Sequence, residues 1–478
     1  MYIGIDAGTS AVKAAAFDER GRPLGVETRQ VSLSLREGRA EQDMDQVFGA
    51  VTEVLTALAA AVPGPVELIG LTGQGDGVWL VDGEGRPVRA AISWMDGRAS
   101  GLVDAWQESG VVESVFRRTG SAMFPGCPGP VLAWLERHEP AVLDAASAAV
   151  YCKDMVFQRL TGGPAATDVS DASMPFLDPR ARSYADEVLR ELGIGHRRGL
   201  LPPVSDPIAV GRTALAGGAR IANGPYDLPA SALGAGVTAP GDGLLIVGTC
   251  LASLVAVDAL DLEGEPAGLH ISTDRAGHWL RAMPAMVGTA ALDWVLRTTV
   301  VAHEEVDGIL AATPPGAHGV RVLPYFASSG ERAPFVEPRL RAELTGVSLE
   351  STPADLIRAT CEGIGFAARH CLEAAGLTGS LAICGGGTRS PAWMRLFADV
   401  LGRPLRIVEG EVGARGAVLA AAERFGVALD TAAWTAPTAV VEPDPERAAF
   451  YCGVYRDHRE RLAAARARAR GNPPATGP

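Results

Sequence analysis

Residues 1–23, MYIGIDAGTSAVKAAAFDERGRP, hold two apolar runs about a small polar turn. Tyr2 to Ile5 ends at Asp6, Ala7-Gly8-Thr9-Ser10 turns, and Ala14 to Phe17 runs back to Asp18-Glu19-Arg20-Gly21. This spacing predicts a β-hairpin whose turn carries an acid, two hydroxyls and, just beyond, Lys13. Glycine beside Thr or Ser aims several backbone N–H groups and hydroxyls at one point, which makes an anion cradle. Residues 243–257, GLLIVGTCLASLVAV, repeat the pattern about Gly248-Thr249. One Gly-Thr turn merely closes a hairpin. Two at matching places predict two α/β domains, each opening on a phosphate-type hairpin, with a nucleotide's phosphates gripped from both sides.

The 478 residues exceed one core, and a net charge of -13 without a basic stripe argues against nucleic acid and anionic membranes as partners. The seven cysteines are odd in number and never form a CxxC pair, which argues against a disulfide framework and a zinc site. No charged-then-apolar leader precedes Tyr2 and no apolar run reaches membrane-spanning length, so the expected location is the cytoplasm. Of the 43 lysines and arginines only Lys13 and Lys153 are lysines. Codon bias accounts for that, as does a compact ammonium kept at Lys13 beside phosphates.

Strands are expected at YIGIDAG, VKAAAFD, PLGVETR and VELIGLTGQ, with an amphipathic helix over DQVFGAVTEVLTALAAAV and a hairpin over GVWLVDGEGRPV. Helices are expected at GPVLAWLERHEP, DMVFQRLTG, ADEVLRELGI and, in the second half, over GTAALDWVLRTTV, TPADLIRATCEGIGFAARHCLEAAG, PAWMRLFADVLG and ARGAVLAAAERFG. SLAICGGGTRSPAW reads as a strand, the run Gly385-Gly386-Gly387, and a helix capped by Ser390 with Pro391 at its first position. Asp6, ending a buried strand, suits a metal ion directly or through water. Asp227, in GPYDLPASALGAG, suits a base at a substrate hydroxyl; by spacing alone it opens a helix. Asp76 in TGQGDG reads on spacing as a β-turn aspartate.

These segments, in this order, resemble the FGGY carbohydrate kinases of the actin/hexokinase/Hsp70 superfamily over nearly the whole chain. The resemblance implies two ribonuclease H-like, actin-like ATPase domains with a central cleft. Residues 1–240 would form the N-terminal sugar and phosphate side, and 241–440 the C-terminal nucleotide side. A C-terminal helix and frayed tail would fill 441–478. It implies ATP and Mg2+. Asp6 would organise the ion. Gly8, Thr9, Ser10, Lys13, Gly248 and Thr249 would face the phosphates. Gly386 and Gly387, with Ser390 near, would line the adenosine pocket. Asp227 would be the general base. Gln74 and Asp76 would bind substrate hydroxyls, which overrides the turn reading of Asp76, with Trp94 and Cys127 near the sugar pocket. Family analogy points to a homodimer.

The departures bear on the substrate. Xylulokinases carry Met-His after the glutamine and glycerol kinases Arg-Glu; this chain has Gly75-Asp76. The pattern is nearer to erythritol kinases and to L-xylulose or 3-keto-L-gulonate kinases. The expected reaction is in-line transfer of ATP's γ-phosphoryl group to a small sugar or polyol. The alternatives are a xylulokinase- or ribulokinase-type pentulose kinase, and a nucleotide-dependent binding protein without turnover.

Overall fold

The first apolar run, Tyr2–Ala7 (β1), pairs antiparallel with Ala11–Phe17 (β2), which pairs antiparallel with Pro23–Gln30 (β3). The computed structural model describes residues 1–471. Met44–Ala61 (α1) follows, capped by the Asp43 side chain on the N–H groups of Asp45 and Gln46. The chain then enters Leu68–Gly73 (β4), parallel to β1. Cys152–Thr161 (α2) ends at Gly162 in the left-handed region. Val210–Arg212 (β5) and Arg220–Asn223 (β6) complete a six-stranded sheet in the order β5-β6-β4-β1-β2-β3, and Asp227–Gly234 (α3) leaves its edge.

Strand β1 is buried on both faces, so it reads as an unbroken apolar run. Ile3, Ile5, Val12 and Ala14 face α1 and α2, together with Val47, Val51, Leu55 and Val156. Tyr2, Ala15 and Phe17 face the opposite core with Ala414, Val418 and Trp434. Helix α1 is long and apolar enough to cross a membrane by composition, against the expectation from the sequence. Its apolar stripe of Val47, Val51, Val54, Leu55 and Leu58 is buried in this core.

The second unit repeats the plan. Gly243–Val247 (β7) pairs antiparallel with Leu251–Val257 (β8). Pro353–Ala375 (α4), opened by a Thr352–Asp355 capping box, leads to Leu381–Cys384 (β9), parallel to β7. Pro391–Leu401 (α5) leads to Leu405–Ile407 (β10), parallel to β9, and Ala439–Val441 (β11) returns antiparallel. A hairpin followed by parallel strands, made twice, is the two-domain α/β architecture of actin-like ATPases.

The compact units are discontinuous, unlike the contiguous division expected at 240 and 440. The first holds Met1–Thr238, Asp258–Leu280 and Gly410–Ala436; the second holds Ala239–Val257, Arg281–Glu409 and the chain from Pro437, so the C-terminal helix belongs to it. Segment Asp258–Leu280 joins the first unit because Ala122 N–H bonds Gly268 and His270 N–H bonds Gly120. Two expected elements differ. GVWLVDGEGRPV closes as a hairpin, with Asp82 N–H to Arg86 O and Val88 N–H to Leu80 O, but only Trp79–Val81 is a strand, and its other edge pairs with Ala148–Val150. The helix at ADEVLRELGI shortens to Asp186–Glu191, because Gly193 takes a positive φ and Ile194 N–H bonds back to Leu189. The expected frayed tail beyond Gly471 lies outside the described residues.

Val412–Phe425 (α6) returns to the first unit and meets it main chain to main chain. A Cβ on Gly4 of β1 would lie 2.0 Å from Ala414 O, one on Gly70 of β4 2.1 Å from Ala417 O, and one on Gly416 of α6 1.8 Å from Ala230 O of α3. No rotamer change relieves such a contact, because it involves backbone only. Gly416→Ala should therefore destabilise the protein by about 3 kcal/mol in urea unfolding, through overpacking. Gly49→Ala, on the open side of α1 with nothing within 4 Å, should stabilise it by about 0.5–1 kcal/mol.

Candidate active site

Two turns and two helix starts converge in the first unit. The β1–β2 turn is closed by Gly8 N–H to Ala11 O at 3.1 Å. Register places Asp6 directly opposite Lys13. Lys13 Nζ lies 3.2 and 3.1 Å from the two carboxylate oxygens of Glu411, at the N-cap of α6. Asp6 Oδ1 is buried without a hydrogen-bond partner, and Oδ2 lies 3.2 Å from where a Gly413 Cβ would stand. Burial pushes Asp6 up to about 6; Glu411 adds to the rise and Lys13 opposes it.

Thr9 joins this turn to the expected sugar side. Its hydroxyl donates to Gln74 Oε1 at 2.9 Å and accepts from Trp94 Nε1 at 3.0 Å. Gln74 donates to Gln42 Oε1 at 2.8 Å, and Gln42 donates back to Thr9 O at 2.9 Å. The Thr9 proton is thus committed to Gln74 and the Gly8 N–H to Ala11, so the turn's remaining donors for an anion are the backbone N–H groups of Thr9 and Ser10 and the exposed Ser10 hydroxyl.

Gln74, Asp76, Trp94 and Cys127 lie on three turns packed together. Gly77 N–H bonds Gly126 O at 3.2 Å, and a Cβ on Gly126 would fall 2.0 Å from Trp94 O. Cys127 is buried at the N-cap of the helix Pro128–His138. Asp76 has a φ of 59°, the left-handed region an aspartate tolerates in a turn. A Cβ on Gly75 would lie 2.5 Å from the Tyr226 ring, so the Asp76 turn abuts the residue before Asp227.

Asp227 is the first residue of α3, with Tyr226 at the N-cap. Burial pushes its carboxyl up to about 8; Asp6 adds most of the charge repulsion, the Leu228 N–H opposes the rise, and Asp76 adds to it. Asp6, Asp76 and Asp227 thus form one electrostatically coupled group of acids within one unit. An aspartate that sheds its proton near neutral pH is suited to take one from an alcohol.

In the second unit the Gly248-Thr249 turn is seated on the helix Thr289–Thr299, through Thr289 N–H to Gly248 O at 2.9 Å and Ala290 N–H to Thr249 O at 3.3 Å. Gly385 and Gly387 pack on Val247, where a Cβ would fall 2.7 Å from its O and 2.4 Å from its Cγ1; Gly386 is exposed. Ser390 caps α5, accepting from Trp393 N at 3.1 Å and donating to Asp307 at 2.5 Å, so its hydroxyl is occupied within the protein. Sequence reasoning did not find Glu411, Gln42 or Tyr226. Their partners lie far along the chain, and no local pattern marks them.

The FGGY carbohydrate kinase N-terminal domain matches residues 1–213, and the C-terminal domain of the same family matches 244–424. The chain belongs to the FGGY family of carbohydrate kinases. It is 34% identical to an erythritol kinase of Brucella abortus over 97% of this chain and 96% of that one. It is 27% identical to a probable L-xylulose kinase of Pasteurella multocida over 98% and 99%. The solved xylulose kinase of Rhodospirillum rubrum superposes with a TM-score of 0.88 at 28% identity, covering 98% and 99%. As an FGGY kinase it phosphorylates a small carbohydrate with ATP.

Thr9→Val keeps the shape of Thr9 and removes both side-chain bonds. The KM for the sugar should rise about fivefold, the worth of about 1 kcal/mol, while the KM for ATP changes less than twofold. Steady-state kinetics with each substrate varied in turn checks the split.

Proposed function

We propose that this FGGY kinase transfers the γ-phosphoryl group of ATP to a hydroxyl of a small polyol or ketose, with erythritol and L-xylulose first in order. The observation that carries the reading is the coupled acid group, with Asp227 at the start of α3 and its proton affinity raised by burial, Asp6 and Asp76. Asp227 takes the proton of the attacking hydroxyl. Asp76 accepts hydrogen bonds from adjacent hydroxyls, since a carboxylate accepts at both oxygens. Gln74, Trp94 and Cys127 line the substrate side. The Gly75-Asp76 pair and the similarity to erythritol and L-xylulose kinases support that order of substrates.

Mg2+ fits Asp6: a buried carboxylate oxygen without a partner is the hard donor that the ion takes. Among the described residues no group of three or more His, Cys, Asp and Glu forms a cage, and Asp6 would be the protein's carboxylate toward the ion. When bound, the ion neutralises charge on the transferring phosphoryl oxygens. Gly8, Ser10 and Lys13 in the first unit serve the phosphates, with Thr9 contributing its backbone. In the second unit Gly248 and Thr249 form a phosphate turn, and Gly386 and Gly387 line the nucleotide. The first unit is the sugar and phosphate side, the second the nucleotide side. Free thiols at all seven cysteines support a cytoplasmic enzyme.

An ADP-release assay with ATP and Mg2+ across four- to six-carbon polyols and ketoses tests the reading. Erythritol or L-xylulose should give the highest kcat/KM. Asp227→Asn should lower kcat by about 10²–10⁴ with KM little changed; undiminished turnover sinks the assignment of the base. The active form is the carboxylate, so kcat/KM should fall as pH drops below about 8. Asp6 is the largest charge raising Asp227, and neutralising it relieves that rise, so the acid limb of kcat should lie at lower pH than that of kcat/KM.

A further inference from the structure

Lys153 is fully buried in α2, in the CKD segment that the proposed chemistry leaves unused. Its ammonium lies 2.8 Å from Asp154, 2.9 Å from Asp168 and 3.0 Å from Asp171, all buried. A buried charge persists only when paired. Burial works against the ammonium, yet the three carboxylates hold its proton affinity well above the usual value.

The cluster reaches toward Asp227 by two routes. Asp154 accepts from Asn223 Nδ2 at 2.7 Å, at the end of β6. Asp168 caps the short helix Val169–Ala172 through Ser170 N–H at 2.9 Å, and the Ser170 hydroxyl accepts from Tyr226 N–H at 3.2 Å. Between them, Gly224 N–H bonds Leu71 O at 2.8 Å, and Thr72 Oγ1 donates to Pro225 O at 2.7 Å. Each of the four residues before Asp227 is therefore tied down, and the first and last ties lead to the residues around Lys153.

We propose that the Lys153–Asp154–Asp168–Asp171 cluster is a positioning device for Asp227, acting through Asn223 and through Ser170 on Tyr226. The inference rests on Asp227 being the base. Effective attack depends on placement of the base to a fraction of an ångström, and a tie on the preceding residue fixes where α3 begins. The ammonium sets the spacing of two backbone segments, Cys152–Thr161 and Thr167–Ala172, on which those ties depend.

Ser170→Ala tests this with little threat to folding, because it removes only the bond to Tyr226 N–H. It should lower kcat about tenfold with both KM values within twofold, and displace the acid limb of the kcat–pH profile, which reports Asp227 among its neighbours Asp6 and Asp76. Placed on Asp227→Asn, it should cause no further loss, since a positioning residue has no effect once its target is gone. Lys153→Met should lower kcat more than Ser170→Ala wherever it folds, and Lys153→Arg should recover part of the loss. An unchanged kcat in Ser170→Ala, or an equal loss with and without Asp227, overturns the positioning role. Full turnover in Asp227→Asn alone overturns the base assignment instead, so the two failures are distinguishable.

Discussion

The first unit depends on one helix, α6, which meets strands and a neighbouring helix main chain to main chain at three glycines. Gly4, Gly70 and Gly416 bring the carbonyls of residues 414, 417 and 230 to within about a carbon radius of where a Cβ would be. Interiors are close-packed, and side chains normally take up small errors by shifting rotamer. Main-chain contacts have no such freedom. Four residues of the candidate site hang on the elements so joined: Asp6 near the end of β1, Gln74 just past β4, Asp227 at the start of α3, and Glu411 at the cap of α6. Their separations are fixed by backbone geometry, which suits a group of acids that must be close without collapsing together.

That closeness has an electrostatic consequence. Three aspartates share one region of the first unit, and Lys13, the cation opposite Asp6, is paired with a further acid, Glu411. Like charges at short range in a partly dehydrated site raise one another's proton affinity. The same repulsion raises the proton affinity of Asp227, whose carboxyl is pushed up to about 8.

Much of the fold was legible because it is written locally. Both Gly-Thr hairpins, the strands around them, and the Ser390 cap with Pro391 behind it follow from short-range periodicity and backbone donors. The hairpin at 77–88 closes as a turn, but its return arm is too short to count as a strand because Pro87 has no N–H to donate, and the other edge of Trp79–Val81 pairs with Ala148–Val150, which no local pattern announces. The compact units are not contiguous in sequence because α6 returns by contacts between glycines and carbonyls about 190 to 410 positions apart, which no local pattern announces. The hydroxyl of Thr9 pointed to phosphate on sequence alone. Its commitment to Gln74 and Trp94 depends on segments that only folding brings together.

The two lysines sit in different geometries. Lys13 sits before both oxygens of one carboxylate with its side chain 42% exposed, an arrangement that an arginine fork also satisfies. Lys153 has three separate carboxylates at nearly equal distance about a single nitrogen, with no solvent access. An ammonium presents three rotatable donors from one point; a guanidinium is planar, spreads its donors over a wider fork and needs more room. In a chain that otherwise writes its cations as arginine, position 153 is where the substitution would cost most. The residue type there follows from the shape of the space between α2 and the segment Thr167–Ala172, and codon bias is not needed to explain it.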